Sequence, residues 1–392
     1  MRPESRCTSP GLVISSTDRH HATPGTIALA VVSGSIISLQ SRANGQLSHE
    51  LGNAIETACV SFGSGFLFLI LMALASRPMR DAVRRIPATA RARRLPRWHT
   101  IGGMLGAIFV IVQAYSVPLV GVALFSVATI GGQTAASMIV DRIGLRAGIT
   151  HHITAQRAIT GLITVIAVGV SVSDRITMPS SSLLAPVLGL LVGGGVSVQR
   201  ALNAHVNDYA QHSFATTWWN FMMGCILLFT ALFITALGGQ EIVALPRHNW
   251  WMYTGGAVGV VYIAIANVVA QRISVLLLTA LSVGGQLASS LLLDLLAPTP
   301  GIELGPHIYA GVALSLLGIL VGVARRPGSG DECNTAAEVE GSHMDSQHLS
   351  RSSCNEQRGP TLSGGPSLGA NQLLSDPDVD AAVECLAGLG SV

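Results

Sequence analysis

"GGQTAASMIVD", residues 131–141, returns almost unchanged as "GGQLASSLLLD", residues 284–294, and both copies stand within long apolar stretches. In each copy a glutamine, a serine and an aspartate follow one another at i, i+4 and i+8. This spacing places the three polar side chains on one face of a helix. They are Gln133, Ser137 and Asp141 in the first copy, and Gln286, Ser290 and Asp294 in the second. Polar groups are costly in apolar surroundings unless they are hydrogen-bonded, so each polar face must serve packing or binding.

The composition predicts an all-α integral membrane protein. Of the 392 residues, 49% are apolar and 11% are charged, whereas about a quarter of the residues of a soluble domain are charged. A hydrocarbon core of about 30 Å takes roughly 20 apolar helical residues to cross, and in lipid a helix satisfies its own backbone. Ten such segments are predicted, at residues 25–44, 53–75, 99–117, 119–140, 155–173, 183–201, 213–237, 250–270, 273–294 and 306–324. The lipid bilayer is therefore the first expected partner.

Arginine predicts the orientation. The stretch "SRPMRDAVRRIPATARARRLPRW", residues 76–98, holds eight arginines between the second and third segments. Short basic loops stay in the cytoplasm, so an even number of crossings places both termini there. The expected location is the plasma or inner membrane. A nucleic-acid-binding patch is the alternative interpretation of this loop, but no nucleic-acid partner is predicted.

Both ends of the chain are expected to be polar and outside the membrane. Residues 1–24 lack the apolar core of a cleavable signal peptide and are interpreted as a polar extension. Residues 327–392 hold ten acidic residues against two arginines and are rich in glycine and serine. Such a composition predicts a disordered acidic tail.

The repeat extends well beyond the quoted phrase. "SLQSRANGQL" (38–47) matches "SVQRALNAHV" (197–206) through Gln40 with Gln199 and Asn44 with Asn203, and "GGMLG" (102–106) matches "GGAVG" (255–259). The matches keep their order, which predicts two five-helix repeats at residues 25–175 and 183–324. Because five is odd, the second copy enters the membrane from the other side. Inverted repeats of this kind build many secondary transporters.

These motifs resemble those of the drug/metabolite transporter superfamily, with its EamA-like fold. The "Q…N" end of the first helix, the "GGxxG" opening of the third and the "GGQ…D" fourth helix are most similar to the YdcZ-like inner-membrane exporters in a fused ten-helix form. The resemblance covers about residues 25–324. It implies that helices 1–4 and 6–9 surround a central cavity, and it implies no particular substrate. The polar extension and the acidic tail lie outside it.

The duplicated polar residues have two interpretations, a cavity lining or hydrogen-bonded contacts between membrane helices. Both stay open for the eight amides and hydroxyls concerned, which are Gln40, Asn44, Gln133, Ser137, Gln199, Asn203, Gln286 and Ser290. The spacing of histidines and cysteines indicates no metal site, and no cofactor is expected.

Asp141 and Asp294 are the only acids that both repeats share, so they are the candidates for coupling to an ion such as the proton. In sequence, Asp141 is followed by Arg142, whereas Asp294 has no basic neighbour. We therefore hypothesise that Asp294 is the better proton acceptor. The alternative is that both acids merely end the membrane span.

The sequence predicts a secondary transporter, an exporter of a small metabolite or drug-like molecule that works by alternating access. A flippase for a lipid-linked group and a non-transporting membrane scaffold or sensor are the alternatives. No nucleophile with a base or metal set is predicted at membrane depth, so the protein is not expected to be an enzyme. The chain contains no lysine and hence no P-loop. Substrate, transport direction, coupling ion and oligomeric state stay open, and a homodimer is one option.

Overall fold

The computed structural model describes residues 23–92, 95–145, 155–174, 181–247, 249–270, 272–273, 275–298 and 304–324. Within these ranges the structure contains helices and no strands. The α-helices are α1 Pro24–Leu51, α2 Ala54–Ala75, α3 Arg77–Arg91, α4 Gly102–Ile143, α5 Ala155–Ser171, α6 Ser181–Ala210, α7 Ser213–Leu237, α8 Gly255–Ala270, α9 Val275–Leu296 and α10 Pro306–Ala324. Short 3-10 helices precede α4 and α8. The predicted acidic tail and nearly all of the predicted N-terminal extension lie outside the described residues.

The helices have the length and surface of membrane spans. Among the described residues, six helices are long and apolar enough to cross a bilayer, namely α1, α2, α4, α6, α7 and α9, and α5, α8 and α10 are apolar but shorter. Large apolar side chains such as Leu71, Phe233 and Leu320 are more than half exposed on their outer faces. Exposed apolar surface of this extent suits lipid rather than water. The fold is therefore that of a multi-pass membrane protein.

The predicted third and fourth segments form one helical hairpin, α4, with no loop between them. Gly121 has non-helical backbone angles, φ 83° and ψ 169°, and Pro118 precedes it. The rings of Phe109 and Phe125 lie 5.9 Å apart across this break, whereas a straight helix would separate them by about 24 Å. The chain therefore reverses direction at Gly121. We call the parts of α4 before and after Gly121 its first and second arms. The end of the bundle at which the chain turns is called the Gly121 end.

The arginine-rich segment, predicted as a loop, is mostly an amphipathic helix. Met79, Ala82 and Ile86 are buried along one side of α3, and Ile86 packs against Val206 of α6. Their spacing of three and four residues is that of a helical face, a signal that the high arginine content obscured. The other faces expose Arg77, Arg84, Arg85 and Arg91. Helix α3 leads towards the start of the first arm of α4. The end of the bundle at which this arm starts is called the α3 end.

The two repeats pack through equivalent close contacts. Helix α1 packs against α8 and α9, and α6 packs against α4. A Cβ atom added at Gly34 of α1 would lie 1.7 Å from the backbone oxygen of Ser282, and one at Gly193 of α6 would lie 2.1 Å from that of Thr129. The two contacts occupy equivalent positions of the repeats. The first helix of each repeat therefore packs backbone to backbone against the other repeat.

Candidate functional site

The duplicated polar triplets lie on α4 and α9 and end at opposite ends of the bundle. We call Gln133, Ser137 and Asp141 the α4 stripe, and Gln286, Ser290 and Asp294 the α9 stripe. The Asp294 carboxylate contacts the turn at Gly121. Asp141 lies twenty helical residues further along the second arm, which is about 30 Å. Two equivalent aspartates thus occupy opposite ends, as inverted repeats require.

The α9 stripe is closed off from solvent. Gln286 is 7%, Ser290 0% and Asp294 4% exposed. The Oδ1 atom of Asp294 accepts a hydrogen bond from the Val122 N–H at 3.1 Å, and its Oδ2 atom accepts one from the Ala123 N–H at 2.7 Å. The first N–H groups of a helix have no partner within the helix. Asp294, from the second repeat, therefore caps the second arm of α4, which belongs to the first.

The α4 stripe lies in different surroundings. Gln133, Ser137 and Asp141 are all partly exposed. The Oδ2 atom of Asp141 accepts a hydrogen bond from Nη1 of Arg157 at 2.9 Å, and Arg157 lies in the first turn of α5. The two stripes have equivalent sequences, but one is buried at the Gly121 end and the other is partly exposed towards the α3 end.

Helices α1 and α6 are the first helices of the two repeats. Their amide side chains lie against the glycines of the GGxxG motif in the opposite repeat. A Cβ atom at Gly255 would lie 2.3 Å from Oδ1 of Asn44, and one at Gly259 would lie 3.1 Å from Nε2 of Gln40. The equivalent contacts join Gly102 with Asn203 at 3.1 Å and Gly106 with Gln199 at 2.6 Å. The motif is glycine at these positions because an amide from the other repeat occupies the space that a side chain would fill.

Asn44 also belongs to a buried network that the sequence did not predict. Its Nδ2 atom donates to Oε1 of Gln113 at 2.7 Å, and Nε2 of Gln113 donates to Oγ of Ser41 at 2.8 Å. Asn44 and Gln113 are both 0% exposed, so this network ties α1 to the first arm of α4. Asn203, the equivalent of Asn44, is partly exposed and has no side-chain hydrogen bond within the part of the chain that the structure describes.

The four duplicated glutamines share one property. No side-chain hydrogen bond joins any of these glutamines to a described residue. The four residues are Gln40, Gln133, Gln199 and Gln286. The backbone oxygens of Gln133 and Gln286 accept hydrogen bonds from the hydroxyls of Ser197 and Ser38 at 2.7 and 2.8 Å. A buried amide that is left without a partner costs about 1–3 kcal/mol. Gln286 is buried and the other three are partly exposed, and no described residue uses the hydrogen-bonding capacity of these four side chains.

The serines of the two stripes do not join helices. The Oγ atom of Ser137 donates to the Thr134 oxygen at 2.8 Å, and that of Ser290 donates to the Leu287 oxygen at 2.9 Å. Both bonds stay within the serine's own helix. They hold each hydroxyl against its backbone, so the glutamines are the free hydrogen-bonding groups of the stripes.

Glu56 is a further buried polar residue, and its role is structural. It is 5% exposed, and its carboxylate accepts hydrogen bonds from Nδ2 of Asn53 at 2.9 Å and from the Val243 N–H at 3.3 Å. Asn53 caps the start of α2. The Asn-x-x-Glu spacing is close to the capping-box signature, a signal that could have identified this pair from the sequence.

A family described as "Putative inner membrane exporter, YdcZ" matches residues 25–170 and 184–321, so the two matches cover the two repeats. The chain belongs to the YdcZ family. Among curated proteins, none matches the sequence. Membership of the YdcZ family confirms the resemblance carried by the duplicated motifs, and it identifies a multi-pass protein of an inner-membrane exporter family.

Proposed function

We propose that this YdcZ-family protein is a secondary transporter that exports a small metabolite or drug-like molecule by alternating access. One observation carries the proposal, the difference between the two equivalent stripes. The α9 stripe is buried and capped at the Gly121 end, whereas the α4 stripe is partly exposed towards the α3 end. Two repeats of the same design thus hold different conformations. This asymmetry is expected of an inverted-repeat transporter that is open to one side.

We assign the α3 end to the cytoplasm. Four arginines of α3 are exposed at that end, and short basic segments next to membrane helices stay in the cytoplasm. Counting the two arms of α4 separately gives ten crossings, with both termini inside. In this orientation the described conformation is closed to the outside and open to the cytoplasm.

The four glutamines are proposed as the cargo-binding groups. Gln133 and Gln286 belong to the stripes, and Gln40 and Gln199 lie on glycines of α8 and α4. A primary amide both donates and accepts hydrogen bonds and carries no charge. Such a set suits a molecule with its own donors and acceptors, and it can hold that molecule in either conformation because each repeat contributes one glutamine of each pair.

Opening to the outside requires two groups of helices to separate at the Gly121 end. One group contains α1, α8 and α9, and the other contains α4 and α6, as the packing of the first helices indicates. The groups meet where Asn44 bonds Gln113 and where Asp294 caps the second arm of α4. A Cβ atom at Gly45 would also lie 3.0 Å from Cβ of Val117. These contacts are the proposed outer gate.

The experiment for the function starts from the purified full-length chain. Small molecules that raise its thermal stability are identified first, and their flux is then measured in proteoliposomes. We expect saturable flux that depends on the protein. A version that ends after residue 330 should keep this flux, whereas a scaffold whose acidic tail is the working part would lose its function. If no stabilising compound is moved across the bilayer, the transporter proposal is wrong.

Labelling of single cysteines is expected to report the orientation. In a cysteine-free version, Asp81→Cys on α3 should react with an impermeant maleimide only after the cells are made permeable. Gln240→Cys, in the segment between α7 and α8, should react in intact cells. Both positions are exposed, so access rather than burial decides the result. Reaction of both from outside would contradict the assignment.

Proton coupling is proposed to run through Asp294. If Asp294 carries the proton, Asp294→Asn should transport without dependence on a pH gradient, because an amide cannot exchange a proton. Asp141→Asn is the matched control and should keep that dependence. Uptake into inverted vesicles at several external pH values measures both. An Asp294→Asn variant with unchanged pH dependence would exclude the coupling role.

A further inference from the structure

Asp141 and Asp294 occupy equivalent positions but have different partners. The Asp294 carboxylate binds two backbone N–H groups at the start of the second arm of α4. The Asp141 carboxylate instead binds the guanidinium of Arg157. In a protein with two equivalent halves, each partner of one aspartate marks a position that the other aspartate can use. The following inference rests on the alternating-access function proposed above.

Gly121 makes the first of these sites. Its φ of 83° breaks the helix and leaves the next N–H groups for Asp294, and a left-handed backbone favours glycine. A Cβ atom at Gly121 would lie 2.8 Å from Oδ2 of Asp294. The two stripes lie 153 positions apart in the sequence. The same separation makes Val275 and Leu276, where α9 begins, the equivalents of Val122 and Ala123. The first turn of α9 is thus the site equivalent to the one that Asp294 occupies.

His307 makes the second site. It lies in the first turn of α10, as Arg157 does in α5, and the two residues are equivalents in the repeat. Its Nε2 atom lies 3.2 Å from Oδ2 of Asp174. The geometry is not that of a hydrogen bond, and this buried nitrogen has no hydrogen-bond partner among the described residues. A buried polar nitrogen without a hydrogen bond is costly, which suggests that His307 serves another arrangement of the helices.

We propose that the two aspartates exchange partners when the transporter changes conformation. In the outward-open state Asp294 leaves the N–H groups of α4 and accepts a hydrogen bond from His307. Asp141 then leaves Arg157 and caps the first turn of α9. His307 is therefore a positioning residue for the outward-open state, and Arg157 is its counterpart for the inward-open state. An imidazole Nε2–H donates to a carboxylate whether the ring is neutral or charged.

A fixed structural role is the competing explanation. In that case Asp294 is a permanent helix cap, His307 only contacts Asp174, and substitutions change stability without changing the balance of conformations. A readout of conformation separates the two explanations. Ser290, 0% exposed here, and its partly exposed equivalent Ser137 provide such a readout when each is replaced by cysteine in a cysteine-free chain.

The test measures the rate at which an impermeant maleimide labels Ser290→Cys from outside and Ser137→Cys from inside. Gly121→Ala removes the space for the Asp294 cap, and Arg157→Ala removes the inward-state partner of Asp141. Each should raise the Ser290→Cys rate by about tenfold or more, because hydrogen bonds to charged groups are strong. His307→Ala should do the opposite, lowering the Ser290→Cys rate while keeping Ser137→Cys reactive. His307→Arg should restore the rate, since arginine is the residue of the other repeat.

The outcomes distinguish the exchange from the function on which it rests. If Gly121→Ala raises the Ser290→Cys rate but His307→Ala leaves it unchanged or raises it, the partner exchange is wrong and two conformations remain. If Ser290→Cys stays unreactive in every variant, the chain has a single conformation and alternating access itself is wrong. If Gly121→Ala fails to insert, Arg157→Ala serves alone as the variant that removes an inward-state contact, because it leaves Asp294 and His307 unchanged. Only variants with unchanged thermal stability are compared.

Discussion

Replacement of Gln133 and Gln286 by leucine is expected to leave the protein folded in the membrane and to abolish its transport. Neither side chain hydrogen-bonds a described residue, so the substitution breaks no hydrogen bond between helices. It does remove two of the four amides proposed to bind the cargo. When a glutamine is removed, a polar group of the bound cargo loses its hydrogen-bond partner. This loss costs about 1–3 kcal/mol at each site. The two sites together amount to at least about 2 kcal/mol, so flux through the double variant should fall by about thirtyfold or more.

A glutamine that does hydrogen-bond another helix provides the matched control. Gln113 is 0% exposed and bonds both Asn44 and Ser41. Gln113→Leu should lower the thermal stability of the purified protein and the amount found in membranes. Membrane amount, melting temperature and flux of the stabilising compound are measured for both variants. If the double variant at 133 and 286 loses stability as Gln113→Leu does, these two glutamines join helices and do not bind cargo.

The internal repeat is what made the fold predictable. The phrase around Gln133 and its copy around Gln286 indicated two five-helix halves, and the odd number of helices indicated their inversion. The structure places Asp141 and Asp294 at opposite ends of the bundle accordingly. Hydropathy located the apolar segments because lipid imposes their length. It did not reveal that the third and fourth segments join without a loop, since one glycine with φ 83° is enough to turn the chain.

The partners within the site could not be predicted in the same way. The sequence indicated that Gln40 and Asn44 are duplicated, but not that they lie on Gly259 and Gly255 of the other repeat. Contacts across more than two hundred residues leave no local pattern. The bond between Asn44 and Gln113 likewise depends on how two distant helices pack. The difference between the two stripes is likewise a property of the conformation, because their sequences are nearly the same.

A disulfide across the proposed outer gate is expected to stop transport reversibly. Gly45 of α1 and Val117 of α4 face each other there, and a Cβ atom at Gly45 would lie 3.0 Å from Cβ of Val117. Disulfides need a Cβ separation of about 3.5–4.5 Å, so a small relaxation brings Gly45→Cys and Val117→Cys to bonding geometry. The bond would hold α1 against the first arm of α4 and keep the outer side closed.

Flux of the stabilising compound through the Gly45→Cys, Val117→Cys protein, measured before oxidation, after oxidation and after reduction, tests alternating access most directly. Each single-cysteine variant is the control, and the fraction of cross-linked chain is read from gel mobility. Alternating access predicts that flux falls in proportion to the cross-linked fraction and returns when the disulfide is reduced. Undiminished flux through a fully cross-linked protein would contradict it, because the cargo would then cross without the outer gate opening.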